Sequence, residues 1–251
     1  MTDLLIERPQ DHPGVLVIRL NRPEKKNAIT RAMYAAMTAA IRNANTDPAI
    51  RAIAFLGSEG SFSAGNDMAD FLAFAQGGAL GTEVLDFLAA LSTAEKPLLA
   101  GVDGLAIGIG TTIHLHCDMT FASPRSTFRT PFVDLALVPE AASSLLGPLV
   151  MGHQRAFAMF VAGEGFSAEE AQAAGLIWKV VASAEVEAAT LSAAARLAAK
   201  PPQALKIARD LIRKGRGDIA GRIAEEAAHF SAQLKSNEAR SAFEAFMARK
   251  K

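Results

Sequence analysis

Two five-residue apolar runs, Ala52 to Leu56 and Leu98 to Val102, constrain this chain more than any other feature. Each is short and closed by a turn signal, Gly57-Ser58-Glu59-Gly60 after the first and Asp103-Gly104 after the second. Such a run is the mark of a buried strand. Around them lie stretches of helical period. Thr30 can cap a helix whose stripe is Met33, Met37, Ala40 and Ile41. A helical stretch from about Asp67 leads through Gly77-Gly78 to another helix ending near Lys96-Pro97. At the start, Leu4 to Arg8 and Val15 to Leu20 flank Asp11-His12-Pro13-Gly14 and read as a β-hairpin. Strands that alternate with helices predict an α/β fold with a parallel-type sheet, whose crevices lie beyond the strand C-terminal ends.

Ser167-Ala168-Glu169-Glu170 is a capping box, Gly175 closes that helix, and Leu176 to Val181 returns as a strand. From Glu185 onward the pattern is helical, broken at Pro201-Pro202 and Gly215-Arg216-Gly217. From Asp218 to Arg249, Ile219, Ile223, Phe230, Leu234, Phe243 and Phe246 recur at roughly helical intervals. One small domain can hardly bury them all, so the main domain or a neighbouring subunit is expected to cover this face.

Composition excludes several classes. Twenty-six basic residues balance 26 acidic ones, so no global field draws in nucleic acid or a membrane. The single Cys117 forbids an internal disulfide and a cysteine-rich zinc site, and reads as a small buried hydrophobe rather than a catalytic thiol. His114 and His116, two apart on a helix, point to different sides, so no metal site is expected. No stretch approaches the roughly 20 apolar residues of a membrane span, and neither end carries a targeting signal. The expected location is cytoplasmic.

The chemistry is concentrated in two loops. Phe62-Ser63-Ala64-Gly65-Asn66-Asp67 runs from a strand through small residues into a helix start. Gly108-Ile109-Gly110, before a helix of Thr111 to Cys117, repeats the arrangement. Free N–H groups at the positive end of a helix suit a carbonyl oxygen that becomes an enolate. Each loop alone is weak evidence, since glycine turns are common and Asp67 can serve simply as a cap. Phe71, Leu72, Phe74, Leu85 and Phe87 suit an acyl pocket, and core packing explains them equally well.

Both loops in this order resemble the crotonase (enoyl-CoA hydratase/isomerase) superfamily. The resemblance also rests on Asn21-Arg22-Pro23 with Asn27-Ala28, Lys96-Pro97, Cys117-Asp118 and Ala171-Gln172-Ala173-Ala174-Gly175-Leu176, and covers nearly the whole chain. It implies a ClpP-like spiral of ββα units over residues 1–190 and a C-terminal helical trimerisation region over residues 191–251. It further implies an acyl-CoA substrate, no cofactor beyond the coenzyme A that belongs to that substrate, and a homotrimer or dimer of trimers. The oxyanion donors become the backbone N–H groups of Asn66 and Ile109. Ser63, Ala64, Gly65, Asp67 and Gly110 complete the thioester loops, and Lys25 and Ala28 lie near the adenine end of coenzyme A. A solvated turn accounts for Lys25 and Lys26 equally well.

One departure decides the subgroup. The hydratase members use two glutamates, and Thr112 and Phe132 occupy those positions here. Neither side chain is a general base near neutral pH. The run Thr127 to Phe132 followed by Val138-Pro139-Glu140-Ala141-Ala142-Ser143-Ser144 resembles the peroxisomal-type Δ3,Δ2-enoyl-CoA isomerases, which implies Glu140 as the single catalytic base. Spacing alone also allows a carboxylate in the first turn of a helix. Asp134, Glu83, Glu95 and Glu164 read as solvated or paired with arginine. The rivals are hydration or hydrolysis of a CoA thioester within the same superfamily, and a non-catalytic acyl-CoA-binding paralogue.

Overall fold

The computed structural model describes residues 2–58, 60–68 and 81–248. Six strands, β1 (Leu4–Glu7), β2 (Val15–Leu20), β3 (Ala52–Leu56), β5 (Leu98–Val102), β7 (Met119–Ala122) and β10 (Lys179–Val180), lie side by side in that order. β1 pairs antiparallel with β2 as the expected hairpin, and every other neighbour is parallel. A second sheet holds β4 (Ser61–Ser63), β6 (Leu105–Ile107) and β8 (Thr127–Arg129) in parallel, with β9 (Phe166–Ser167) antiparallel at its edge.

The two apolar runs are strands buried on both faces, as their composition requires. Ile53, Phe55, Leu98 and Ala100 pack with Met33, Met37 and Ile41 of α1 (Arg31–Thr46) and with Phe87 and Leu91 of α2 (Glu83–Ser92). The alternate residues Ala52, Ala54, Leu56 and Leu99 meet Leu191, Ala194 and Ala198 of α7 (Val186–Ala198). Small residues on both partners bring that helix close to the sheet. A Cβ on Gly101 would lie 2.7 Å from the Thr190 hydroxyl, so glycine is required at that crossing. α1 begins where expected, with the Thr30 hydroxyl accepting from Met33 N at 3.3 Å.

Two boundaries differ from the sequence pattern. The helix after the second glycine loop starts at Ile109 rather than Thr111: α3 (Ile109–Thr112) runs into a 3₁₀ turn, Ile113–Leu115. Gly108, at φ +57°, turns the chain so sharply that helix follows strand at once. The run Leu176 to Val181 contributes only Lys179–Val180 as strand, because Leu176 and Ile177 donate back to the Ala171 carbonyl and close a helix instead. That helix, α6 (Ala168–Ala173), carries the reciprocal Ser167–Glu170 capping box. Of the stretch from Asp67 through Gly77-Gly78, only Asp67 and Met68 belong to the described residues, and Phe71, Leu72 and Phe74 lie outside them.

α4 (Ser143–Met151) and α5 (His153–Phe160) precede the tail, which comprises α8 (Pro202–Arg213), α9 (Ile219–Leu234) and α10 (Asn237–Ala248). The expected apolar face is covered in part by this chain itself. Ile223, Leu234 and Phe243 are buried within the chain, and Ile219 and Phe230 are partly buried, while the Phe246 side chain is not described. Within the described part of the tail, the large apolar residues left in solvent are on α8: Ile207, Leu211 and Ile212 are 53%, 66% and 79% exposed. That helix docks through a charged side chain. Arg209 is buried, donating to the Asp118 carboxylate at 2.7 Å and to the Ala94 carbonyl at 2.6 Å.

Candidate active site

Parallel pairing of β4 with β6 sets the two glycine loops side by side. Gly65, at φ +88°, faces the second loop, and a Cβ there would sit 2.9 Å from the Ile107 carbonyl oxygen. A Cβ on Gly110 would lie 2.9 Å from the Ser63 carbonyl oxygen. Glycine at both positions is what allows the loops to touch. The neighbouring N–H groups are engaged: Gly65 donates to the Ser63 hydroxyl, Asp67 to the Ile29 carbonyl and Gly108 to the Arg129 carbonyl. Among the described residues, the N–H groups of Asn66 and Ile109 have no acceptor. Ile109 opens α3, so no intrahelical partner exists for it.

The first loop is held from outside. Tyr34 of α1 donates its hydroxyl to Asn66 Oδ1 at 2.5 Å, and Arg22 pairs with Asp67 at 2.5 Å. Ser63 donates its hydroxyl to the Asn27 carbonyl, and Ala64 N donates to the Lys26 carbonyl. Asn27 is buried in left-handed backbone, φ 55°, and its amide donates to Ser58 Oγ and to the carbonyls of Ser61 and Phe62 while accepting from Arg22 N. Lys25 lies exposed in a short 3₁₀ turn and Ala28 is half-buried beside it. The structural work of Asn27, Arg22 and Tyr34 was not legible as site-building, although a left-handed Asn is the signature of such a turn.

Glu140 does not sit in a helix, since α4 starts only at Ser143. The residue as a whole is only 9% exposed, and the Thr112 hydroxyl donates to Oε1 at 2.6 Å. Burial pushes the Glu140 carboxyl up to about 7, against the Thr112 hydrogen bond and assisted by the nearby Glu226. Among the described residues Oε2 has no hydrogen-bond partner. The turn behind it is unusual, for Ala141 and Ala142 are both left-handed, φ 61° and 56°. Such backbone costs a non-glycine residue on the order of 1–3 kcal/mol and persists only when its surroundings hold it. His116 Nε2 donates to the Ala141 carbonyl at 2.8 Å, and burial lowers the imidazole to about 4, so it is neutral.

The other candidates fall away from the site. Phe132 is buried beside Phe160, ring centroids 6.5 Å apart. Asp134 pairs with Arg129 in solvent, Glu83 pairs with Arg31, and Glu164 is exposed. Cys117 is buried, its thiol pushed up to about 12 by burial. His114 packs against Phe62 and edge-on against Phe128, and no cluster of three metal-ligating side chains occurs among the described residues. A cavity of ≈ 560 Å³ beyond the C-terminal ends of β3 and β5 is lined by Arg19, Asp103, Arg125 and Glu187, and none of the loop residues or Glu140 borders it. Its arginines are already paired with carboxylates, so it offers no free charge to a ligand. No described helix is long and apolar enough to cross a membrane.

Comparison with known proteins identifies the family and the fold. Residues 10–251 match the family model described as enoyl-CoA hydratase/isomerase. The chain is 36% identical over 244 residues to enoyl-CoA delta isomerase 2 of Rattus norvegicus, covering 94% of itself and 62% of that protein. It is 35% identical to a probable enoyl-CoA hydratase of Rhodobacter capsulatus, over 76% of this chain and 74% of that one. Among solved structures, an enoyl-CoA hydratase/isomerase from Pseudoalteromonas atlantica superposes with a TM-score of 0.92 at 36% identity, covering 99% of this chain and 98% of the other. The fold is therefore the crotonase fold.

Proposed function

The chain belongs to the enoyl-CoA hydratase/isomerase family, and within it we propose that it moves the double bond of an acyl-CoA thioester from the 3,4 to the 2,3 position. One observation carries the reading. The site offers one buried carboxyl near 7, while the two positions at which hydratases carry glutamates hold Thr112 and Phe132.

The chemistry follows from that pair of facts. Glu140 removes a proton from C2, and the electron pair of that C–H bond flows into the thioester carbonyl to give a dienolate. Asn66 N–H and Ile109 N–H receive the developing oxyanion. The oxyanion pair then reforms the carbonyl, the C1=C2 π pair becomes the C2=C3 double bond, and the C3=C4 π pair takes the same proton back from Glu140 at C4. Oε2 is the oxygen left for this work, because Oε1 is engaged by Thr112. A carboxyl near 7 both accepts and returns a proton readily at neutral pH. In this proposal Lys25 and Ala28 border the adenine end of coenzyme A, and the exposed apolar face of α8 is covered by a second copy in a trimer or dimer of trimers.

Hydration is the second reading, supported by the hydratases among the relatives. Turnover of 3-enoyl-CoA against 2-enoyl-CoA separates the two, and CoA-ester binding with no turnover of either identifies a binding protein. Glu140→Gln keeps size and removes the base. It is expected to lower isomerisation by about two orders of magnitude or more while CoA-ester binding persists. Asp134→Asn, the control, should change little. Near wild-type turnover by Glu140→Gln refutes the mechanism.

A further inference from the structure

The turn behind Glu140 is fixed from 84 positions away. Glu226, on α9, is buried, and its carboxylate accepts from Ala142 N at 2.6 Å, Ser144 N at 2.9 Å and the Ser144 hydroxyl at 2.5 Å. Burial pushes the Glu226 carboxyl upward, against the hydrogen bonds from Ser144 and Ala142 and the nearby Arg222; both its oxygens act as acceptors, the pattern an ionised carboxylate satisfies. Arg222, one turn earlier, donates to the same Ser144 hydroxyl. α4 has no side-chain cap of its own, so a distant carboxylate does what a local Ser or Asp would do at its N-terminus. A local cap would leave the backbone before the helix extended. Here Ala141 and Ala142 are instead wound left-handed, and that winding sets where Glu140 emerges.

We propose that Glu226 is the positioning residue of the active-site base: it locks the left-handed turn that aims Glu140 at Thr112 and the two glycine loops. The inference rests on the reading of Glu140 as the base. Glu226 acts on Glu140 by charge as well as by geometry, since a second buried carboxylate opposes ionisation of the first. The other groups facing this pair are few. Thr112 on α3 is neutral, and His116 behind Ala141 is uncharged at neutral pH. Arg222 faces Glu226, and Arg213 and Arg216 lie against His116.

The test follows both effects. In protein carrying ¹³C-labelled glutamate side chains, the Glu140 carboxyl resonance is the one lost in Glu140→Gln, and its titration is followed in the wild type and in Glu226→Gln. Glu226→Gln is nearly isosteric, and its Glu140 midpoint is expected to fall. In parallel, Glu226→Ala is expected to lower kcat for 3-enoyl-CoA by about 10- to 100-fold with KM little changed, as for a base displaced by about an ångström. An unaltered Glu140 midpoint in Glu226→Gln, with kcat and KM of that variant also unaltered, overturns the proposal. If the wild type fails to isomerise yet the midpoint moves, the coupling stands and the assigned reaction falls. If Glu226→Ala does not fold, the midpoint, kcat and KM of Glu226→Gln decide alone.

Discussion

Replacing Thr112 by valine removes one hydroxyl from the site and almost nothing else. Thr112 is fully buried, and valine matches its β-branched shape. The deleted contact is the 2.6 Å hydrogen bond to Glu140 Oε1, which favours the ionised carboxylate. A hydrogen bond to a charged group is worth about 1.5–3 kcal/mol. At about 1.4 kcal/mol per unit, its loss raises the Glu140 pKa by about one to two units. From a starting point of about 7, the new midpoint lies above pH 7. At about pH 7 the ionised fraction then drops from about half to between about a tenth and a hundredth, so kcat falls by roughly 5- to 50-fold. The assay is the rise in ultraviolet absorbance as 3-enoyl-CoA becomes the conjugated 2-enoyl thioester, followed from about pH 6 to about pH 9. The gap should narrow toward the alkaline end, to about twofold or less at about pH 9, where the wild-type carboxylate is ionised and the variant's is at least about half ionised. A profile lowered equally at every pH, or a midpoint moved downward, refutes the argument.

The remaining expectations are independent of that one. The Glu140 carboxyl binds its proton more tightly in the folded chain (about 7) than at its ordinary value of 4.5. Its contribution to stability is therefore complete below the lower value and lost as pH rises through the upper one, amounting to about 3 kcal/mol at most. Glu140→Gln removes this penalty, so thermal unfolding should show the variant more stable than wild type at about pH 8 and nearly equal at about pH 4. Crotonyl-CoA hydration should run far below isomerisation, and equal rates measured on the same preparation would show that Glu140 activates water. Light scattering at micromolar concentration should show an assembly larger than a monomer, and Leu211→Lys with Ile212→Lys should shift it toward monomer if α8 forms the contact. A stable wild-type monomer would remove that role from α8.

The order of strands and helices was legible because period and turn residues are local signals. Ala52–Leu56 and Leu98–Val102 appear with the bounds their apolar runs announce. The loops were legible as well, since glycine where two backbones touch is a local necessity. The site's side-chain partnerships were not. Thr112 registered only as a missing glutamate, because nothing within a helical turn of it indicates a contact 28 residues on. Glu226 was not singled out, standing beside Glu225 in an alanine-rich helix. Yet Ile219, Ile223, Glu226 and Phe230 follow one stripe, and a carboxylate set into an apolar stripe is the signal that separates buried Glu226 from exposed Glu225. The cover over the tail was left open for a similar reason. Amphipathic spacing shows that a face must be covered, but not whether the same chain supplies the cover.

The 84-residue reach from Ala142 to Glu226 also sets an order of assembly. As the chain leaves the ribosome, β4, β6 and β8 can pair and bring the two glycine loops together once Arg129 has emerged, and Thr112 can find Glu140 soon afterwards. The left-handed turn has no carboxylate to hold it until Glu226 of α9 arrives, 84 residues later. Contacts of such long sequence separation are closed late, because the intervening loop entropy must first be overcome. On the proposed assignment, a nascent chain passes through a stage with its two glycine loops formed and Glu140 unplaced, so that any grip on a thioester oxygen precedes the ability to move a proton.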